Sequence, residues 1–142
     1  MINLRRQFEI ILRDYGEEVE YIRLTNLPCP ECKGKDPDLN NCKTCIGTGK
    51  KVKSEKVLTR SEAQSVPQSW PRMVEKEPIG DWQQPIYLFY FKHDFNPSLK
   101  DLVIKENRIY EIEFTDPLKG REGRIEYWRA GAQNKPSKDK LI

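Results

Sequence analysis

The four cysteines of the chain are the feature that most restricts how it can fold. They form two Cys-x-x-Cys pairs separated by nine residues: Cys29, Cys32, Cys42 and Cys45. The two-residue spacing lets both sulfurs of a pair point at one ion from a tight turn. Gly34 and Gly47 stand two residues after each pair, where the chain must turn with positive φ. Four thiolates complete the tetrahedral shell of zinc, so the pattern predicts one structural Zn²⁺ site.

Three other uses of four cysteines compete with zinc. A redox pair of the thioredoxin kind needs one reactive Cys-x-x-Cys at the start of a helix, and no helix pattern follows either pair. Two disulfides would suit an exported domain. However, Met1 to Arg13 lacks the apolar core and cleavage site of a signal peptide, which indicates a reducing compartment. Four thiolates also bind iron, so iron at this site stays open.

Residues 3–15 predict an amphipathic N-terminal helix, because apolar side chains recur at spacings of four and three. Asn3 can cap its start, and Gly16 is expected to stop it in a left-handed conformation. Such a helix can pack on its own domain or dock on a neighbouring protein. Together with the strand that follows, it takes up residues 1–27.

Alternating residues predict strands at 19–24 and 51–59, which would pair and carry the cysteine loop at their tip. This zinc-ribbon-like loop, residues 28–50, has few apolar residues of its own. We therefore expect it to project from the domain and to depend on the ion for its order.

The rest of the chain predicts β structure. Prolines make residues 60–85 an irregular connection. Strand patterns then recur at 86–91, 101–105, 108–114 and 124–128. The fold class is therefore mainly β, a small β-barrel or sandwich with its core in residues 51–130.

Finer features of this region are also predicted. A turn at Glu106-Asn107 joins two arms of a hairpin, and three apolar residues of the second arm share one face: Tyr110, Ile112 and Phe114. Asp116-Pro117 and the glycines at 120 and 123 predict a turn region. Residues 131–142, which are polar and rich in lysine, predict a disordered tail.

The charge balance gives little indication of a partner. Lys plus Arg is 25 against 22 for Asp plus Glu, a net charge of +3. The cysteine loop and its flank are nevertheless basic, and six lysines there are candidate contacts for a protein partner or nucleic acid: Lys33, Lys35, Lys43, Lys50, Lys51 and Lys53. The loop has no aromatic residue for base stacking. A solvated lysine-rich loop is the alternative.

No pattern in the sequence predicts catalysis. A glycine-rich phosphate loop and a nucleophile elbow are both missing from the sequence. His93 is the only histidine, and Asp94 beside it would point to the opposite face of a strand. We predict that the protein is not an enzyme, and without 18 consecutive apolar residues we predict no membrane-spanning segment.

Several short motifs along the chain, taken together, carry a resemblance to a known family. The chain begins with Asn-Leu-Arg-Arg-Gln-Phe and Leu-Arg-Asp-Tyr-Gly, continues through the two cysteine pairs to Val-Leu-Thr-Arg, and later has Phe-Asn-Pro-Ser-Leu-Lys-Asp-Leu-Val-Ile-Lys-Glu-Asn-Arg-Ile-Tyr-Glu-Ile. This arrangement resembles tailed-bacteriophage head–tail connector proteins of the head-closure, stopper or neck type. The cysteine pairs alone are also similar to the zinc knuckles of DnaJ-type chaperones, which repeat the knuckle more times.

The resemblance implies a structural role in the virion. Copies of a small barrel would form a ring, with the portal or adaptor protein above, a tail protein below and packaged DNA as a further contact. Trp70, Trp82 and Trp128 are candidate interface anchors, at least one of them more suited to core packing. The competing prediction is a cellular zinc-ribbon adaptor that binds nucleic acid or a protein partner, which would show salt-sensitive binding.

Overall fold

A computed structural model describes residues 3–34, 41–64 and 86–141, without the side chains of Gln64, Arg121 and Ser137. Within these residues six antiparallel strands close into a barrel in the order β1-β2-β3-β6-β5-β4, and β4 pairs back onto β1. The expected mainly β fold is confirmed, and the barrel alternative is the one adopted. Every strand therefore has an inner face toward the barrel core and an outer face.

The N-terminal helix, α1 (Leu4–Tyr15), begins one residue later than predicted and is capped as expected. The Asn3 side chain accepts a hydrogen bond from the backbone N–H of Arg6 at 3.2 Å. The expected conformation of Gly16 is wrong, because its φ is −75° and its ψ 161°, which is extended backbone. Glycine is needed there for space instead: a Cβ atom would lie 2.3 Å from the carbonyl oxygen of Leu12.

The first two strands form a long ribbon that extends past the rest of the barrel. β1 spans Glu17–Pro28 and β2 spans Lys50–Gln64, both longer than predicted. Residues 60–64 belong to β2 and pair with β3, so the irregular connection does not begin at 60. The remainder of that prediction, residues 65–85, lies outside the described residues, as do Trp70 and Trp82.

The remaining strands complete the barrel: β3 (Ile86–Lys92), β4 (Leu102–Lys105), β5 (Arg108–Lys119) and β6 (Ile125–Asn134). The predicted turn between β4 and β5 is confirmed. Glu106 and Asn107 both have positive φ, 52° and 64°, as a two-residue hairpin turn of type I′ requires. The predicted turn at Asp116-Pro117 is wrong, since both residues lie within β5 and pair with β6; a 3₁₀ turn, Arg121–Gly123, follows.

A β-bulge in β5 overturns the prediction for Phe114. Ile112 pairs with Ala132 but Phe114 pairs with Gly131, so Glu113 is an extra residue in the strand. This insertion reverses the alternation of faces. Tyr110 and Ile112 lie in the core, whereas Phe114 lies outside and is 38% exposed. Its ring covers Gly131, where an added Cβ would lie 2.0 Å from Phe114 Cε1.

Two apolar clusters lie on the two sides of the sheet. The inner cluster fills the barrel with inward residues of five strands: Val19, Tyr21, Phe89, Phe91, Val103, Tyr110, Ile112, Ala130 and Ala132. A second cluster, called here the outer cluster, is formed by Ile22, Ile46, Leu102 and Ile109, with Val52, Ile104 and Leu141 partly buried against it. Ile22 and Leu102 alternate with the inward-facing Tyr21 and Val103, so this cluster covers the outside of β1, β4 and β5.

The C-terminal residues are ordered, and the predicted disordered tail is wrong as far as residue 141. β6 continues to Asn134, and a short helix, α2 (Pro136–Asp139), follows. Lysine-rich composition favoured disorder, but buried Ala132 and backbone hydrogen bonds to β5 hold the segment in place. Its end, Leu141, packs on the outer cluster.

α1 packs across the outside of β2, β3 and β6. The Phe8 ring stacks on Tyr127 with centroids 4.8 Å apart, and Arg5 donates to the carbonyl of Ile125 at 2.9 Å. In the described part of the chain, no helix has the length and hydropathy needed to cross a membrane.

Candidate metal centre

The cysteine loop lies at the tip of the β1–β2 ribbon. β1 ends at Pro28, directly before Cys29, and β2 begins at Lys50, directly after the second knuckle. The N–H of Cys29 donates to the carbonyl of Gly49 at 3.0 Å, which continues the ribbon pairing and closes the base of the loop. The two cysteine pairs are thereby brought face to face.

The four sulfurs converge on one point. All lie within 4.8 Å of one another, with 3.9 Å between the Sγ atoms of Cys29 and Cys42 and 3.6 Å between those of Cys32 and Cys45. Four sulfurs around one ion at the usual Zn–S bond length stand about 3.8 Å apart. None of the four cysteines is in a disulfide. The cluster therefore has the dimensions of a four-thiolate metal site.

The two knuckles repeat one backbone conformation. The residue after each second cysteine has φ of 54° (Lys33 and Ile46), and the expected glycines follow it with φ of 77° and 71°. The prediction of positive φ at Gly34 and Gly47 is confirmed. Such turns point backbone N–H groups toward the sulfurs, and the N–H of Gly49 donates to Cys45 Sγ at 3.3 Å. Amide donors of this kind spread thiolate charge over the turn.

The pKa of each thiol depends on the neighbouring sulfurs and backbone N–H groups. The backbone N–H of Cys32 lowers the pKa of the Cys29 thiol, but burial and the sulfurs of Cys32 and Cys45 outweigh it and raise that pKa to about 11. The backbone N–H of Cys45 lowers the pKa of the Cys42 thiol. Four thiolates this close repel one another strongly, so a cation is needed to hold all of them ionised.

The loop lies at the tip of the ribbon, as expected, but it also contacts the barrel through one buried residue, which the sequence did not predict. Cys29, Cys32 and Cys45 are buried, and Cys42 is half-buried. Ile46, directly after Cys45, is only 8% exposed and lies in the outer cluster with Leu102 and Ile109. One apolar side chain is enough to anchor the loop because the barrel supplies the rest of the apolar surface.

The geometry is that of a structural centre. Four protein ligands leave no coordination position open for substrate, which is the arrangement of structural four-cysteine sites. The residues present therefore fit a metal ion that is bound for stability and shape.

No family model and no curated protein matches this chain.

Five of the six candidate contact lysines lie within the described residues, and all five are exposed: Lys33, Lys43, Lys50, Lys51 and Lys53. Lys35 lies outside them. Among residues 3–34, 41–64 and 86–141 these five form no ion pair, although Lys56 further along β2 pairs with Glu18 at 3.8 Å. They are available to an anionic partner.

A structural role competes for the three candidate contact lysines on β2. In the described residues, β2 pairs with β3 only from Arg60 onward, so the preceding stretch has one open edge. Lysines on an open edge prevent pairing with strands of other molecules. This role fits Lys50, Lys51 and Lys53 without any partner.

Trp128 is not an exposed anchor. It packs partly buried against the inner cluster, and its Nε1 donates to the carbonyl oxygen of His93 at 3.0 Å. This is the core role that the sequence allowed for at least one tryptophan.

A feature that the sequence did not predict is an apolar groove beside α1. It has a volume of about 630 Å³, and its walls include Leu4, Ile11, Tyr15, Arg60, Tyr90 and Tyr127. Three of the helix residues in it stay exposed: Leu4 by 42%, Ile11 by 39% and Tyr15 by 72%. The helical spacing predicted the apolar stripe. It did not predict that Phe8 and Leu12 would be the only buried residues of α1.

Proposed function

We propose that this protein is a structural component of the head–tail connection of a tailed bacteriophage, located in the virion at the level of the connector, stopper or neck. Copies of the barrel form a ring, with the portal or adaptor protein on one side and a tail protein on the other. The resemblance of the motifs suggests this role, and a small closed barrel is the architecture that the resemblance implies.

One observation carries the proposal: the groove beside α1. The inner cluster is formed by buried side chains of the barrel strands, yet Leu4, Ile11 and Tyr15 line an apolar groove and are exposed among the described residues. Exposed apolar surface of this kind marks interaction sites in soluble proteins. A ring needs two different complementary surfaces on each copy, and the groove supplies one of them.

Mass photometry and negative-stain electron microscopy of the purified protein, alone and with a portal ring, test the proposal. We expect a single closed oligomer, and Ile11→Glu should break it into monomers because it places a charge in the groove. Leu99→Glu is a matched control, since Leu99 is an exposed apolar residue (56%) outside the groove. A folded monomer under all conditions, or equal loss of the oligomer in both variants, would contradict the proposal.

We further infer that the ion at the four cysteines is zinc. The ligand set is all thiolate and closed, and the separations of 3.9 Å (Cys29–Cys42) and 3.6 Å (Cys32–Cys45) are close to the edge of a tetrahedron with bonds of about 2.3 Å. Elemental analysis of protein purified without added metal should give one zinc per chain, and Cys32→Ser with Cys45→Ser should abolish it. If the analysis instead gives one iron per chain, with a visible thiolate-to-iron absorption band, the ion is iron and not zinc.

A second candidate function, a zinc-ribbon adaptor that binds nucleic acid, is favoured by the five exposed lysines. It predicts DNA or RNA binding whose affinity falls steeply with salt. Lys51→Gln with Lys53→Gln should weaken that binding and lower its salt dependence, while the control pair Lys119→Gln and Lys140→Gln, also exposed, should not. If the variant with Lys51→Gln and Lys53→Gln binds as well as the wild type, the remaining role of these lysines is to prevent strand pairing at the open edge of β2.

A further inference from the structure

The metal loop and the C-terminal segment (residues 135–141) cover the same patch of the barrel's outer face. Ile46 of the loop lies in the outer cluster beside Leu102 and Ile109, and Leu141 of the C-terminal segment packs against that cluster. The two segments are 95 residues apart in sequence (from 46 to 141). Because they share one set of apolar neighbours, the position of one affects the burial of the other.

Ile109 is the residue that connects the two segments most directly. Its side chain is fully buried in the outer cluster. Its backbone N–H donates to Asp139 Oδ1 at 2.7 Å, and its carbonyl accepts from the N–H of Lys135 at 2.8 Å. Asn134 Nδ2 donates to the same carbonyl at 3.1 Å. The C-terminal segment is therefore fastened to a residue of the cluster in which Ile46 is buried.

The position of Ile46 is set by the metal site. It follows Cys45 directly, and its φ of 54° belongs to the turn that aims the Cys45 sulfur. A bulky branched residue adopts positive φ only when its surroundings impose that conformation. Loss of the ion removes one of these constraints, and Ile46 is then free to leave the cluster.

We propose that metal occupancy of the four-cysteine site controls docking of the C-terminal segment, through Ile46 and the outer cluster. The metal-bound loop keeps the patch covered and the segment docked. Loss of the metal uncovers the patch and loosens residues 135–141. Coupling between two sites is reciprocal, so the docked segment must also raise metal affinity. The inference rests on the metal site and is independent of the connector role.

Hydrogen exchange tests the first direction. Compared with zinc-loaded protein, chelated protein should exchange faster at the amide of Ile109 and at residues 135–141, by about fivefold or more. Amides of β3 and β6 should keep their protection. Unchanged exchange at Ile109 and 135–141 while the loop itself loosens would overturn the proposal. Loss of protection throughout the barrel would overturn it too, because the coupling would then be global unfolding.

Zinc affinity, measured by competition with a chromophoric chelator, tests the reverse direction. Leu141→Ala should weaken zinc binding by about fivefold. Leu12→Ala is the matched control, because Leu12 is buried between α1 and the barrel and has no part in the outer cluster. It should reduce stability and leave the zinc affinity unchanged. Equal affinities in wild type and Leu141→Ala, or no zinc binding in the wild type, would refute the coupling.

Discussion

Replacing Lys33 or Ile46 by glycine should change stability in opposite directions, although the two residues have the same backbone conformation. Each follows the second cysteine of its knuckle with φ of 54°. Left-handed backbone costs a residue with a side chain about 1–2 kcal/mol, and glycine avoids this cost. Glycine also gains freedom in the unfolded chain, which costs about 0.5–1 kcal/mol. The backbone part alone therefore favours glycine by about 0.5–1 kcal/mol.

The side chains decide the sign. Lys33 is exposed, so Lys33→Gly should keep the backbone gain and raise the free energy of unfolding by about 0.5–1 kcal/mol. Ile46 is 8% exposed in the outer cluster, and removing its four side-chain carbons costs about 3 kcal/mol at about 0.8 kcal/mol each. After the same backbone gain, Ile46→Gly should lower the free energy of unfolding by about 2–2.5 kcal/mol.

Urea unfolding at a fixed excess of free zinc measures both variants against the wild type. Zinc must be held constant because it binds the folded state and contributes to stability by mass action. Changes of the same sign and size in the two variants would refute the docking of Ile46 on the barrel. A loss on Lys33→Gly would refute the left-handed conformation of the first knuckle.

Three further predictions concern the barrel and the ion. Gly131→Ala should lower the free energy of unfolding by about 1–3 kcal/mol, because its Cβ meets the Phe114 ring. In a Phe114→Ala background the same change should raise it by about 0.4–1 kcal/mol. Urea unfolding of the wild type, the two single variants and the double variant checks this. Tyr21→Phe should cost about 1–3 kcal/mol, since the hydroxyl donates to buried Asp101 at 2.6 Å. Burial and that hydrogen bond raise the pKa of Tyr21, so its stabilisation is present below about pH 10 and lost as the pH rises above it. The free energy of unfolding of the Phe variant should therefore fall less steeply at alkaline pH than that of the wild type. An identical fall in both proteins would count against the Tyr21–Asp101 hydrogen bond. Chelation should shift NMR resonances of the cysteine loop and the outer cluster while the inner cluster keeps its own; resonances unchanged in the loop would contradict a bound ion.

The sequence predicted the features that depend on local chemistry. Two Cys-x-x-Cys pairs followed by glycines predicted that the four sulfurs converge, because the geometry of each pair is set within a few residues. The α1 cap at Asn3 and the turn at Glu106-Asn107 were predictable for the same reason. Alternating apolar residues predicted the strands and the mainly β class. They did not decide between a barrel and a sandwich.

The features that depend on contacts distant in sequence could not be predicted. The bulge at Glu113 moved Phe114 to the outer face, and no local pattern marks an extra residue in a strand. Residues 131–141 have the composition of a disordered tail, yet Ala132 and Leu141 find apolar surface on the barrel. Ile46 is a single apolar residue in a polar loop, and only the position of the outer cluster shows that it is an anchor.

Native mass spectrometry of the purified protein, alone and mixed with a portal ring, tests the connector role and the metal site together. It gives the number of chains and the number of bound ions in one spectrum. A structural connector with a metal-braced loop predicts one closed oligomer with one zinc ion per chain. A monomer in both samples, or chains without bound metal, would contradict the account.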